Sequence, residues 1–138
     1  MTPSTTPLAR LEQIGFRSVG TWTHDTDCLR CQLAEHGTSV NVLYAFVLDD
    51  DVLYVGKTIK SLRARMRGYE RPGNSQSTNI RANEKIRELL QDGRMVRILA
   101  LPDNGLLRYG GFHVNLAAGL EDSIVRELRP VWNVTGVA

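Results

Sequence analysis

Cysteine is scarce in this chain: only Cys28 and Cys31 occur among 138 residues. Two cysteines so close together cannot form the disulfide framework on which small secreted domains rely. The sequence also lacks an uninterrupted apolar segment long enough to cross a membrane. Its first residues, MTPSTTPLAR, lack the apolar core of a signal peptide. We therefore expect a cytoplasmic protein with no membrane partner.

The rest of the composition is typical of a globular domain, with 42% hydrophobic and 23% charged residues. The net charge of +2 conceals an uneven distribution. Residues 1–56 carry three basic and seven acidic side chains, whereas residues 57–71 carry six basic side chains and one acidic one, Glu70. This excess of positive charge favours a polyanionic partner. A solvated helix face is the alternative explanation.

The spacing of apolar and turn-forming residues predicts a small sheet covered by helices. We predict strands over residues 42–48, 52–55 and 95–101, and helices over residues 7–15, 28–37, 61–69, 79–92 and 117–128. The loop over residues 102–115 leaves room for a short extra pairing. The predicted fold class is α/β (α+β), with a three-stranded antiparallel sheet flanked by helices. Residues 1–41 would form an N-terminal helical extension and residues 42–138 the main domain.

The first two strands are expected to form a tight hairpin. With the three aspartates at 49–51 as the loop, the predicted pairs are Leu48 with Val52, Phe46 with Tyr54, and Tyr44 with Gly56. Tyr44 then faces a residue without a side chain, which predicts a hollow beside its phenol, flanked by Lys57. Aromatic cross-strand packing in an ordinary core hairpin is the alternative explanation.

Three arginines lie on the basic helix that follows. Helical periodicity puts Arg65 beside the buried row that includes Tyr69, whereas Arg63 and Arg67 lie towards solvent. We expect Arg65 to reach the hollow, and the outer two to contact phosphates further along a strand. Ordinary surface charge is the alternative explanation for Arg63 and Arg67.

The last predicted helix contains an acidic residue inside its apolar arc. Glu121 projects between Val125 and Leu128, where an unpaired charge must stay near water, find a partner or hold a metal. Glu127 lies close to the same row but in the last turn, from which it can bend into water. Periodicity alone does not separate these two carboxylates.

This order of elements and residues resembles the GIY-YIG nuclease family. The matching positions are Leu43-Tyr44-Ala45, Tyr54-Val55-Gly56, the pair Arg65 and Tyr69, Glu121, and the ending Pro130, Trp132 and Asn133. Only the tyrosine of the first motif is kept, and the resemblance covers residues 42–133. The spacing to Pro130 and Asn133 favours Glu121 over Glu127 as the family's metal-binding glutamate. The resemblance implies a hydrolase that cuts nucleic-acid phosphodiesters with a divalent metal, most simply a DNA endonuclease.

The resemblance also implies roles for individual residues. The expected catalytic residues are Tyr44, Tyr54, Arg65, Tyr69 and Glu121. The expected substrate-binding residues are Gly56, Lys57, Arg63, Arg67 and Asn133. Glu121 would hold Mg²⁺ or Mn²⁺, Arg65 would bind the phosphate oxygens, and Tyr44 would orient or deprotonate the attacking water. Asn133 would also pin the exit of the last helix to the hairpin.

Two other functions remain open on the sequence. A non-catalytic nucleic-acid-binding module on the same fold would need the basic helix but not Glu121. A zinc-stabilised module would use His24, Cys28, Cys31 and His36. We expect DNA rather than RNA as the partner, and a monomer or a homodimer.

Overall fold

The structure is a computed structural model, and it describes residues 6–26, 28–103 and 105–134. Within these ranges the helices are α1 (Pro7–Gln13), α2 (Leu62–Glu70), α3 (Ser77–Gln91), α4 (Leu116–Leu128) and α5 (Val131–Val134). The strands are β1 (Arg17–Asp25), β2 (Cys28–Leu33), β3 (Val40–Leu48), β4 (Asp51–Ser61), β5 (Arg97–Pro102), β6 (Arg108–Tyr109) and β7 (Phe112–His113). Residues 1–5, the first half of the polar start of the chain, lie outside the described residues.

An antiparallel sheet of five strands, in the order β2-β1-β5-β3-β4, forms the centre of the described fold. The class is α+β, as predicted, but the expected number of three strands is wrong because β1 and β2 extend the sheet beyond β5. The short β6–β7 pairing in the loop before α4 is confirmed. No helix among the described residues is long and apolar enough to cross a membrane.

The helix predicted over residues 28–37 is wrong, and so is a wholly helical N-terminal extension. Residues 28–33 form β2, which pairs with β1. Leu29 is buried, and Cys31 and Leu33 are partly buried and pack against the same core. Their spacing of two residues is that of a strand with one covered face. The division of the chain at residue 42 stays a prediction.

The hairpin has a two-residue turn rather than the predicted three-residue loop. Leu48 pairs with Asp51, so the expected pairing of Leu48 with Val52 is wrong. Asp49 adopts a left-handed conformation (φ 54°), which aspartate tolerates in turns. The register then shifts at Leu53, an extra residue on β4. This bulge restores the predicted pairs of Tyr44 with Gly56 and of Phe46 with Tyr54.

Helices cover both faces of the sheet. On one face Tyr44 packs in a core with Met66 of α2 and residues of α3. On the other face Leu43 packs with Ile124 of α4 and with residues of α1. The helices predicted to begin near residues 7, 61, 79 and 117 are confirmed as α1 to α4. Ser61 caps α2 as expected, because its hydroxyl accepts a hydrogen bond from Ala64 N at 3.1 Å.

Candidate active site

Strand β3 and helix α2 bring two phenols and a guanidinium into direct contact. The hydroxyl oxygens of Tyr44 and Tyr69 are 2.7 Å apart. Arg65 lies one helical turn before Tyr69 and donates from Nη2 to its hydroxyl at 2.8 Å. The Arg65 Cζ atom also lies 4.2 Å from the centroid of the Tyr69 ring. Because both tyrosines are buried and Arg65 is only partly buried, Arg65 is the end of this network nearest to solvent.

Gly56 lies opposite Tyr44, and the space above it is filled by aromatic rings. A Cβ atom built on Gly56 would lie 2.6 Å from the Tyr44 hydroxyl oxygen and 2.9 Å from Cε2 of Tyr54. The space predicted as a hollow beside Tyr44 is therefore occupied by the phenol of Tyr44 itself. The ring centroids of Tyr44 and Tyr54 are 6.3 Å apart, so the third tyrosine belongs to the same cluster. Glycine is required here by close approach, because any side chain would push the phenols apart.

Burial governs the protonation of these phenols. Removal from water raises the pKa of Tyr44 well above its ordinary value, and the positive charge of Arg65 lowers it by less. Burial likewise raises the pKa of Tyr69. Both phenols are protonated at neutral pH, so each offers a hydrogen bond rather than a negative charge. This favours an orienting role for Tyr44 over abstraction of a proton from water.

Arg65 remains charged within this cluster. Burial is the largest single cause and lowers its pKa, but Tyr44, Tyr69 and Tyr54 together raise it by more, so the net direction is upward. A second hydrogen bond fixes the guanidinium, because Nη2 also donates to Asn79 Oδ1 at 3.2 Å. A permanent cation with a defined orientation therefore stands beside the three phenols.

The other two arginines of α2 do not join this cluster. The backbone of Arg63 donates to Gly37 O at 2.9 Å, and its guanidinium lies against the same glycine, towards β2. Arg67 is exposed. Lys57 is exposed as well, and it pairs with Leu43, so alternation directs it to the sheet face opposite Gly56. Lys57 therefore does not flank the space above Gly56.

The side chain of Asn133 forms two hydrogen bonds with the backbone of β4. Its Oδ1 accepts from Val55 N and its Nδ2 donates to Val55 O, both at 2.9 Å. The amide thus substitutes for a neighbouring strand along β4, which is an edge strand. Because both ends of the Asn133 amide are used in this way, the residue ties α5 to the hairpin.

Glu121 lies on α4 and is partly buried. Burial raises the pKa of Tyr54, and the negative charge of Glu121 adds to that rise. Helix α4 contacts β4, the strand that carries Tyr54, although it packs on the opposite face of the sheet. Glu127 is exposed and forms an ion pair with Arg10 at 3.3 Å, away from the tyrosines.

Glu121 is the carboxylate that could hold a divalent metal beside the tyrosine cluster. Among residues 6–26, 28–103 and 105–134, no three histidine, cysteine or acidic side chains are grouped so as to hold a metal ion. A single carboxylate such as Glu121 is compatible with Mg²⁺ or Mn²⁺, because these ions keep several waters and are held by one or two carboxylates together with substrate phosphates. A zinc site of His24, Cys28, Cys31 and His36 does not fit, because Cys28 and Cys31 point to opposite faces of β2.

Asn79 is a site residue that the sequence reasoning missed. It is buried on α3, at helical spacing from the buried residues Ala82 and Ile86. A polar side chain in an apolar row was the available signal, because buried amides require hydrogen-bond partners. The partner, Arg65, lies on a different helix and could not be identified from periodicity.

No family model and no curated protein matches this chain. Two solved structures share its fold. A mutant of EndoII of bacteriophage T4 superposes with a TM-score of 0.72 at 20% sequence identity, over 92% of this chain and 98% of that chain. The restriction endonuclease HPY188I in complex with product DNA gives 0.50 at 15% identity, over 91% and 79%. The chain therefore has a fold that is also found in endonucleases.

Proposed function

We propose that this chain is a divalent-metal-dependent endonuclease of the GIY-YIG type that hydrolyses phosphodiester bonds in DNA. The observation that carries the proposal is the fixed guanidinium of Arg65 among the phenols of Tyr44, Tyr54 and Tyr69. The likeness in fold to two endonucleases supports it. Nucleic acid also suits the excess of positive charge around α2.

Arg65 binds and stabilises the phosphate in this proposal. A preorganised donor directed at an oxygen on which charge develops lowers the barrier more than it strengthens ground-state binding. Its Nη2 is engaged by Tyr69 and Asn79, whereas Nη1 and Nε take part in neither bond. Those two nitrogens are the ones we assign to the phosphate oxygens.

The tyrosines orient the reacting groups. Because the phenols of Tyr44 and Tyr69 are buried and stay protonated, they would orient the attacking water and the phosphate through the hydrogen bonds that link them to Arg65. Tyr54, the tyrosine whose pKa the charge of Glu121 raises further, would also orient the phosphate. No phenolate is needed at neutral pH for these roles.

Glu121 would hold the divalent cation. When bound, Mg²⁺ or Mn²⁺ supplies charge neutralisation at the phosphate and the leaving oxygen. A non-catalytic module would gain nothing from a partly buried carboxylate on α4, which is costly unless it has a partner, so this position favours the enzyme. One site per chain cuts one strand, so cleavage of both strands requires a homodimer or two separate visits.

The test is a cleavage assay of the purified chain. Labelled single-stranded DNA, duplex DNA and RNA are each incubated with Mg²⁺, with Mn²⁺ and with excess chelator. We expect DNA to be cut with either metal and left intact in chelator. Full cleavage in chelator would contradict the metal assignment. Tight binding of every substrate with no cleavage in either metal would favour the non-catalytic module.

A further inference from the structure

The second partner of Arg65 belongs to a chain of hydrogen bonds that begins in a surface loop. Asn79 is only 6% exposed, on the face of α3 that packs into the core. A buried amide needs partners for both its oxygen and its nitrogen. In this structure the oxygen faces Arg65 Nη2 at 3.2 Å and the nitrogen faces Gln76 Oε1 at 3.1 Å.

The loop before α3 determines which way the Asn79 amide points. Gly73 N donates to Gln76 Oε1 at 3.0 Å, and a backbone N–H can only donate. The side chain of Gln76 must therefore present its oxygen, and that oxygen accepts from Asn79 Nδ2. The amide of Asn79 is then left with its oxygen turned towards Arg65, the orientation in which it can accept from a guanidinium.

Gly68 provides the space in which this contact forms. A Cβ atom at Gly68 would lie 3.3 Å from Arg65 Nη1 and 3.4 Å from Asn79 Nδ2. The first of these distances is tighter than ordinary van der Waals contact. A side chain at this position would therefore push the guanidinium away by a few tenths of an ångström, and glycine leaves it in contact with the amide.

We propose that Asn79, oriented by Gly73 and Gln76, is a positioning residue that fixes the guanidinium of Arg65 for phosphate binding. Both protons of Nη2 are engaged, one by Tyr69 and one by Asn79, which fixes the guanidinium plane and keeps Nη1 and Nε for substrate. Without Asn79 the guanidinium keeps its contacts with the tyrosines but loses the second hydrogen bond at Nη2, so its plane is less firmly fixed. The inference rests on the proposed nuclease function, and one of its readouts does not require that function.

Asn83 offers a matched control on the same helix. Its Nδ2 donates to Tyr69 O at 2.7 Å, so it also ties α3 to α2, and its Oδ1 accepts from Arg87 Nε at 2.8 Å, but neither bond involves Arg65. Asn79→Leu and Asn83→Leu each replace an amide by an apolar group of similar size. Both should lower the melting temperature, and only the first should release Arg65.

The first readout is the single-turnover cleavage rate at saturating protein. Misplacing a reacting group by about 1 Å costs on the order of 100-fold, so we expect Asn79→Leu to lower the rate by about 10- to 100-fold. Asn83→Leu should stay within about threefold of the wild type. Asn79→Asp keeps an acceptor for Arg65 and should recover part of the loss. Equal rates for Asn79→Leu and Asn83→Leu would overturn the proposal and leave the nuclease function standing.

The second readout needs no activity. Side-chain NMR of the guanidinium groups, with the Arg65 signal assigned by its loss in Arg65→Lys, reports whether rotation of Nη2 is hindered. We expect slowly rotating Nη2 protons in the wild type and in Asn83→Leu, and averaged ones in Asn79→Leu. Unchanged Arg65 signals in Asn79→Leu would refute the positioning role, whether or not the protein cuts any nucleic acid.

Discussion

Alanine variants of the three arginines of α2 should distinguish their roles, and Arg65→Ala should have the largest effect on the cleavage rate. The change removes the donor that we assign to the phosphate and leaves Tyr69 and Asn79 without their charged partner. Arg63 and Arg67 lie outside the phenol cluster, one against Gly37 and the other in solvent. The three variants therefore remove the same charge from three different surroundings.

The expected magnitude follows from the role of the donor. Loss of one preorganised donor to a developing anion costs about 2.7–4 kcal/mol, a rate decrease of about 100- to 1000-fold. Arg65→Ala also leaves the buried oxygen of Asn79 without its donor, which costs about 1–3 kcal/mol of folding free energy. Thermal unfolding must therefore accompany the kinetics, to show that the variant is folded at the assay temperature.

Single-turnover rates at saturating protein, with binding measured over a salt series, distinguish the roles. Arg65→Ala should lower the saturated rate. Arg63→Ala and Arg67→Ala should weaken binding and reduce its salt dependence by about one phosphate contact each. If Arg63→Ala abolishes the saturated rate while Arg65→Ala changes only affinity, the active site assigned here is wrong.

Three further predictions test the surroundings of the site. Burial raises the pKa values of the clustered tyrosines, so the stability they contribute is present below about pH 10, the ordinary phenol pKa, and is lost as pH rises through their higher folded values. A Tyr109→Phe variant keeps only the three clustered tyrosines. During a pH titration it should show no tyrosinate absorbance until the fold is lost. An increase in tyrosinate absorbance near pH 9, while the protein is still folded, would contradict the burial of these phenols. Gly56→Ala, where the added carbon meets a phenol oxygen at 2.6 Å, should lose activity and stability. The control is Gly119→Ala on α4, where an added Cβ meets nothing within 4 Å. It should keep full activity and gain up to about 1 kcal/mol in unfolding free energy. Equal melting curves for Gly56→Ala and Gly119→Ala would show that the space above Gly56 is not filled. Asn133→Ala leaves Val55 N and O unpaired and should cost about 1–3 kcal/mol in a denaturant titration, which an unchanged midpoint would refute.

The parts of the site that could be predicted from sequence are those set by local periodicity. Alternation along β3 and β4 places Tyr44, Tyr54 and Gly56 together, because pairing across a hairpin follows from the sequence between its strands. Helical spacing places Arg65 beside Tyr69, because residues four apart lie one turn apart on the same face of a helix. The turn length was wrong, yet the pairs near the site were right, since the bulge at Leu53 compensates.

The features that could not be predicted depend on contacts between distant segments. β2 was assigned to a helix because Thr and Asp precede it as they precede helices, whereas the alternation of Leu29, Cys31 and Leu33 pointed to a strand. The contact of Asn79 with Arg65 joins two helices across a loop, and no period in either helix reveals it. The position of Glu121 near Tyr54 depends on α4 packing beside the β4 edge, which is likewise a tertiary effect.

The most direct test of the central claim is cleavage by Glu121→Gln, measured beside Glu127→Gln. Glutamine keeps the shape of the side chain but removes the charge that would hold the cation. We predict that Glu121→Gln binds DNA as tightly as the wild type and does not cut it, whereas Glu127→Gln, which loses only an exposed ion pair with Arg10, does both. Cleavage by Glu121→Gln at the wild-type rate, or equal losses in the two variants, would contradict the assignment of Glu121 as the metal-binding residue of a nuclease.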